Sequence, residues 1–181
     1  MSDQQGHEIN DLASAAAGGD ADAFETLAWE LHDRVYYYLI ARVRDPTTTE
    51  DLVQETWLRV ARNIRNFQPG TNFLGWLFTI ARNLTIDHFR AQQRKPAETL
   101  QADMLALTIA QPGADVEETA ERRALAEAVA GHLDRLRPEQ RQCLILRFFA
   151  GLTSTETAEA MGKTPGAVRI LQSRALKRLA K

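Results

Sequence analysis

The sequence predicts an all-α protein of two small helical domains joined by a flexible acidic linker, with a helix-turn-helix in the second domain. Three observations carry this. Apolar residues recur at three- and four-residue steps along most of the chain. No segment shows the strict alternation of a half-buried strand. Proline- and glycine-bearing breaks sort the helical stretches into two groups, one on either side of residues 96–116. A chain of 181 residues suits one medium domain or two small ones. Two domains of roughly 70–80 residues would each bury a modest core.

A short first helix breaks at Gly18-Gly19-Asp20. A second begins at Asp22, with Glu25 three residues on as capping partner. Phe24, Leu27, Leu31, Val35, Tyr38 and Leu39 form its apolar stripe, and Asp45-Pro46 ends it. Thr49 is the expected cap of a third helix, which carries Val53, Trp57, Val60, Ala61 and Ile64 on one face. Asn66 to Asn72, with Pro69-Gly70 inside, reads as a loop. A fourth helix runs from about Phe73 to Arg94 and stops before Pro96, closing a first domain of residues 1–95. Residues 96–116 keep no sustained period and hold Pro96 and Pro112-Gly113, which marks a linker. Residues 117–181 form the second domain. Its helices resume near Glu117, with Leu125, Val129, Leu133 and Leu136 on one face. Pro138 opens the next helix as a first-turn proline and Gly151 ends it.

Composition excludes several classes. Hydrophobic residues make up 44% and charged residues 25%, as in ordinary globular proteins. The single cysteine, Cys143, rules out an intramolecular disulfide, and its setting in Cys143-Leu144-Ile145-Leu146 places it in a core. His7, His32, His88 and His132 have no metal-ligand spacing, the carboxylates form no metal- or phosphate-binding cluster, and there is no GxxxxGK[ST] loop. No cofactor and no enzymatic activity are expected. The polar, acidic start is unlike a signal peptide, and no apolar run approaches the roughly 18–20 residues of a membrane span. A cytoplasmic protein with no membrane span follows by elimination.

The net charge of −2 hides a strong alternation. Residues 1–33 hold eight acidic side chains and no Lys or Arg. Residues 82–95 hold Arg82, Arg90, Arg94 and Lys95 against Asp87. Residues 96–121 hold six acidic and no basic side chains, and residues 163–181 six basic and no acidic ones. Two basic blocks around an acidic one read either as two polyanion-binding surfaces or as solvated helix faces.

Residues 153–179 carry the most specific motif. Where two helices cross, a helix-turn-helix needs a small residue, here Ala158, and its turn needs a residue that tolerates positive φ, here Gly162. Thr164-Pro165 supplies a cap and a first-turn proline for the second helix. Thr157 departs from the pattern, standing where a larger apolar residue is usual. At about 100° per residue, Val168, Leu171, Ala175 and Leu179 share the buried face. Gly166, Ile170, Ser173 and Lys177 lie opposite, flanked by Arg169 and Arg174, as on a major-groove surface. In the fourth helix Phe73, Trp76, Leu77, Ile80 and Leu84 make one face, and Phe78, Arg82, Phe89 and Arg90 lie largely on the other. Aromatics interleaved with arginines suit single-stranded nucleic acid. The pattern alone equally fits a helix buried on two sides.

These segments have a family likeness. WLFTIARNLTIDHFR, preceded by EDLVQETWLRV, resembles the extracytoplasmic-function (ECF) group of the bacterial sigma-70 family. RPEQRQCLILRFFAGLTSTETAEAMGKTPGAVRILQSRALKRL resembles region 4 of the same family. The likeness covers roughly residues 10 to 179, and it implies a promoter-recognition subunit. Its partners would be core RNA polymerase (clamp and flap), promoter DNA and an anti-sigma factor. The clamp-binding surface is implied on the third helix: Asp51, Gln54, Glu55, Leu58 and Arg62. The −10 element would meet Asn66, Phe67, Gln68, Asn72, Trp76, Phe78, Arg82, Asn83, Phe89, Arg90 and Arg94. The −35 element would meet Thr164, Gly166, Arg169, Ile170, Ser173, Arg174 and Lys177. The acidic linker reads either as a polyanion mimic in the polymerase's RNA path or as a spacer shielding the two basic surfaces. A stand-alone helix-turn-helix regulator would share the C-terminal motif but would need neither EDLVQETWLRV nor the aromatic helix.

Overall fold

The computed structural model describes residues 3–94 and 133–180. Among the described residues every regular element is helical. The first half holds α1 (Asp3–Ala17), α2 (Ala21–Val43), α3 (Pro46–Asn63) and α4 (Phe73–Arg94). The second holds α5 (Pro138–Leu144), α6 (Ser154–Met161) and α7 (Pro165–Leu179). A 3-10 turn, Ile64–Asn66, extends α3, another, Leu133–Arg135, precedes α5, and α5 runs on into a π-helical turn, Ile145–Phe149. The expected linker and the helix from Glu117 with Leu125 and Val129 lie outside the described residues.

Two helices start earlier than expected, for the same reason. Asp20, not Asp22, caps α2, accepting a hydrogen bond from Ala23 N at 3.0 Å. Asp45, not Thr49, caps α3, accepting from Thr48 N at 2.7 Å, with Pro46 in the first helical position. An aspartate before a proline fits a helix start because the missing proline N–H has no intrahelical partner there anyway. Thr49 is instead fully buried, and its hydroxyl has no partner among the described residues. Ala61, expected on the core face, is exposed. The buried stripe of α3 comprises Leu52, Val53, Thr56 and Val60 and continues into Ile64.

One apolar core runs through both halves, from Leu27, Leu31, Val35 and Leu39 of α2 and Phe73 and Leu77 of α4 to Leu144, Ile145 and Leu146. A second, smaller cluster of Cys143, Ala158 and Val168 ties the helix-turn-helix together. Between the halves, α6 rests on α4 and the π-turn rests on α2. Asn72 Nδ2 donates to Glu159 Oε2 at 2.9 Å, and Arg34 Nε donates to Ala150 O at 2.7 Å. Burial lowers the pKa of Arg34, against the opposing pull of Glu156. Gly151, at φ 67°, leaves room for that guanidinium, which would stand 3.4 Å from an added Cβ.

Candidate nucleic-acid interface

Where the end of α3 meets α4, a cleft of about 240 Å³ is lined by Arg59, Asn63, Asn66, Trp76, Ile80 and Asn83. Three carboxamides, which donate and accept, surround an indole that offers a stacking surface. A guanidinium stands at the edge. That donor set suits a planar, polar, edge-bonding ligand better than an apolar one.

The cleft is held rigidly from behind. Phe67 is buried against Phe73 (5.5 Å between centroids) and Trp76 (5.8 Å). Asn72 Oδ1 accepts from Gly75 N at 3.2 Å, and Asn10 Oδ1 reaches from α1 to accept from Phe73 N at 2.9 Å. Two asparagines therefore satisfy orphan N–H groups at the start of α4. The loop before it turns at Gly70, φ 83°, where Thr71 Oγ1 donates to Gln68 O at 2.7 Å.

Several residues expected at this surface are elsewhere. Phe78 is fully buried, packed on Tyr38 with centroids 5.2 Å apart, and so has no ring face for a base. Phe67 is likewise a floor and does not face the ligand. Asn72 spends its carboxamide on the α4 cap and on Glu159. Arg82 is half-buried toward α2, away from the cleft. The cause is helical azimuth: Trp76, Ile80 and Asn83 share one face, and Phe78 and Arg82 lie about 100° or more around it. Asn66, Gln68, Asn83 and Arg90 are exposed, as is Phe89, whose ring meets His88 edge-on. The Arg94 side chain lies outside the described residues. Arg59 and Asn63 were not anticipated. They stand one turn apart on α3, a polar i, i+4 pair beside the loop, which is the signal that marks them.

On the outer side of α3, Asp51, Gln54, Leu58 and Arg62 are exposed, Leu58 by half its surface. Glu55 is half-buried and accepts from Arg59 Nε at 2.8 Å, a hydrogen bond that also orients the cleft's guanidinium.

The helix-turn-helix has the predicted geometry. Thr153 and Glu156 form a reciprocal capping box at the start of α6, and Gly162 ends it in the left-handed region at φ 63°. Thr164 Oγ1 caps α7, accepting from Ala167 N at 3.2 Å, so that side chain is committed to the backbone. Val168 and Ala175 are buried, with Leu171 and Leu179 partly so. Arg169, Ile170, Ser173, Arg174 and Lys177 are exposed, and Gly166 faces open space. Gln172, absent from the expected set, lines the same surface beside Arg169 and Ser173 and accepts from Arg147 Nε at 3.1 Å. Behind this surface Cys143 is buried, and that burial raises its thiol pKa.

Comparison with known proteins agrees with both halves. Sigma-70 region 2 matches residues 27–95 and sigma-70 region 4 matches residues 132–181. The ECF RNA polymerase sigma factor BldN of Streptomyces coelicolor is 40% identical over 99% of this chain and 67% of its own. The RNA polymerase sigma factor CarQ of Myxococcus xanthus is 34% identical over 89% of each. The solved structure of the sigma factor RpoE in complex with the anti-sigma factor NepR, from Bartonella quintana, superposes with a TM-score of 0.64 at 25% identity, covering 86% of this chain and 93% of that one. The chain belongs to the extracytoplasmic-function group of the sigma-70 family and is an alternative sigma factor that directs transcription initiation.

Proposed function

We propose that promoter recognition is divided between the α3–α4 cleft and the exposed face of α7. The first domain, residues 1–95, binds core polymerase and the −10 element; residues 96–116 link it to the second, residues 117–181, which binds the −35 element. The observation that carries this reading is the cleft itself. A base inside a stacked duplex hides its Watson–Crick edge, so reading it calls for extrusion into a pocket with a stacking wall and amide donors and acceptors. Trp76 is the wall; Asn66, Asn63 and Asn83 are the readers; Gln68, Phe89, Arg90 and Arg94 extend the surface outward. Phe67 and Asn72 act as supports that hold the loop.

On α7, Arg169, Arg174 and Lys177 bind base edges or phosphates in the major groove, Ser173 adds a hydroxyl, and Ile170 meets thymine methyl groups. Thr164 and Gly166 set the close approach of the helix N-terminus to the backbone. Asp51, Gln54, Glu55, Leu58 and Arg62 bind the polymerase clamp, with Leu58 as the apolar anchor. The similarity to a sigma factor solved with an anti-sigma factor supports a partner of that kind here. The protein acts in the cytoplasm and makes no bonds itself.

The test is reconstitution with core polymerase on a panel of promoters varied singly in each element. Asn83→Ala is expected to relax preference at a −10 position and leave −35 preference intact, and Arg174→Ala to do the reverse. Removing a side chain that bonds a base edge should cost about 1–3 kcal/mol of discrimination at that position. Unaltered −10 selectivity in Asn83→Ala, with normal core binding, would remove the cleft from the reading.

A further inference from the structure

Helix α1 lies outside the residues that match region 2, which begin at position 27, and it is unsuited to meeting DNA itself. Glu8 and Asp11 on its middle turn are exposed, and residues 1–33 hold no Lys or Arg. Such a surface repels a polyphosphate. Yet α1 packs against both rims of the α3–α4 cleft, the Ile64–Asn66 turn on one side and α4 on the other. Ile9, Ala13 and Ala16 recur at four- and three-residue steps and are buried in the core, which fixes the helix there. Asn10, next to Ile9, is half-buried at the edge of that stripe.

Asn10 Oδ1 accepts from Phe73 N at 2.9 Å, a bond between groups 63 positions apart. The first N–H of a helix has no intrahelical partner and is often left to water. Here it is tied to another helix. The packing of Phe73 gives the tie its reach. Its ring stands 5.5 Å from that of Phe67, at the start of the 67–72 loop, and 5.7 Å from that of Trp76, the wall of the cleft. Phe73 is fully buried, and a close-packed ring cannot shift without its neighbours. A displacement at Phe73 N therefore passes to the indole and to the loop together. Asn72 also caps α4, but its Nδ2 is committed to Glu159 of the second half. The Asn10–Phe73 bond lies wholly within the first half and persists if the halves part.

We propose that Asn10 is a positioning residue for −10 recognition: through Phe73 it sets the placement of Trp76 and the 67–72 loop against the base. It thereby tunes selectivity from a helix that does not touch DNA. This rests on the promoter-recognition reading above, in which Trp76 is the stacking wall. Placement governs selectivity because a stacked, edge-bonded base tolerates little displacement of the groups that read it.

The experiment measures holoenzyme affinity for promoters varied singly in the −10 and −35 elements. Asn10→Leu keeps the size of the side chain and removes the acceptor. It is expected to narrow discrimination at one or more −10 positions by about two- to tenfold, the net worth of one hydrogen bond read as an equilibrium constant. Discrimination at −35 and affinity for core polymerase should stay unchanged. Asn10→Asp keeps an acceptor at the same atom, beside a helix N-terminus that favours negative charge, and should restore the −10 profile. If Asn10→Leu fails to fold, Asn10→Ser, whose oxygen stops one bond short of Phe73 N, takes its place with the same expectation. Unchanged −10 discrimination in the variant that lacks the acceptor overturns the proposal. So does a lowered melting midpoint with equal losses at both elements, which would make Asn10 a stabilising residue only. Failure of Asn10→Asp to restore the profile overturns it as well. Altered −10 preference in Asn83→Ala beside an unaltered one in Asn10→Leu keeps the cleft and sinks the tether. The reverse result keeps the tether, acting through the loop, and sinks the cleft.

Discussion

Thr157 is fully buried within α6, and its hydroxyl has no hydrogen-bond partner among the described residues. A buried hydroxyl without a partner costs about 1–3 kcal/mol, whereas a methyl of the same shape costs nothing of that kind. Thr157→Val is therefore expected to stabilise the helix-turn-helix by about 1 kcal/mol. For a domain of this size that raises the midpoint of thermal unfolding by roughly 4–8 °C, which calorimetry would detect. An unchanged or lowered midpoint would mean that the hydroxyl is satisfied in solution. At this scale the sequence was partly legible. Thr157 already stood out as polar at an apolar position. Phe78 and Arg82 did not stand out as core and flank, because an aromatic-basic helix looks the same whether its second face meets nucleic acid or another helix. Only the packing of Tyr38 against Phe78 decides between them. Asn10 was not visible at all, since its partner, Phe73 N, lies 63 residues away.

α3 carries two separable duties, one at its start and one on its outer face. At the start, Asp45 holds the first turn by accepting from Thr48 N, and hydrogen bonds from the Thr48 side chain first and the Thr48 backbone second hold its carboxyl below the usual range. Asp45→Ala is expected to cost about 1 kcal/mol, the usual worth of an N-cap. The sign of the pH effect follows from the depressed value. The cap contributes fully above the ordinary aspartate pKa, roughly 3.9, and its contribution drains away as pH falls through the lower folded value. Asp45→Asn keeps a cap oxygen and should flatten that acid limb of the stability curve; an unaltered limb would assign it to other carboxylates. On the outer face, Leu58 is half exposed among charges. Leu58→Asp is expected to abolish holoenzyme formation and leave helical content intact, read by co-elution with core polymerase beside circular dichroism. Normal affinity would place the clamp-binding surface elsewhere. The start of α4 was legible, because Asn72 precedes a clean period at Phe73. The starts of α2 and α3 were not, because each has several capping-competent side chains within four residues and the choice rests on backbone geometry.

At the scale of the whole molecule the two surfaces proposed to read DNA stand too close together to span a promoter. The centres of a −35 and a −10 element are about 25 base pairs apart, roughly 85 Å at 3.4 Å per pair. A compact chain of this length has a radius of gyration near 16 Å by the usual scaling. Here α6 rests on the start of α4, with Asn72 and Glu159 joined at 2.9 Å. Both elements can be held only if this seam parts, and a linker of residues 96–116, with a reach of roughly 70 Å at full extension added to the breadth of the two domains, is long enough to allow it. The seam offers a lock. A Cβ built on Gly75 would lie 3.5 Å from Glu159 Cβ, within the separation of about 3.5–4.5 Å that a disulfide requires. The variant Gly75→Cys, Glu159→Cys should therefore close a bond on oxidation. The buried native thiol of Cys143, its pKa raised by desolvation, is poorly placed to compete. Oxidised protein is expected to keep its helical content and its melting transition, yet to lose promoter binding as holoenzyme by at least about tenfold, the equivalent of 1.4 kcal/mol. Reductant should restore it. If the cross-linked protein binds a promoter containing both elements as well as the reduced protein does, the halves need not separate. If the bond never forms, the seam is not populated in the free protein.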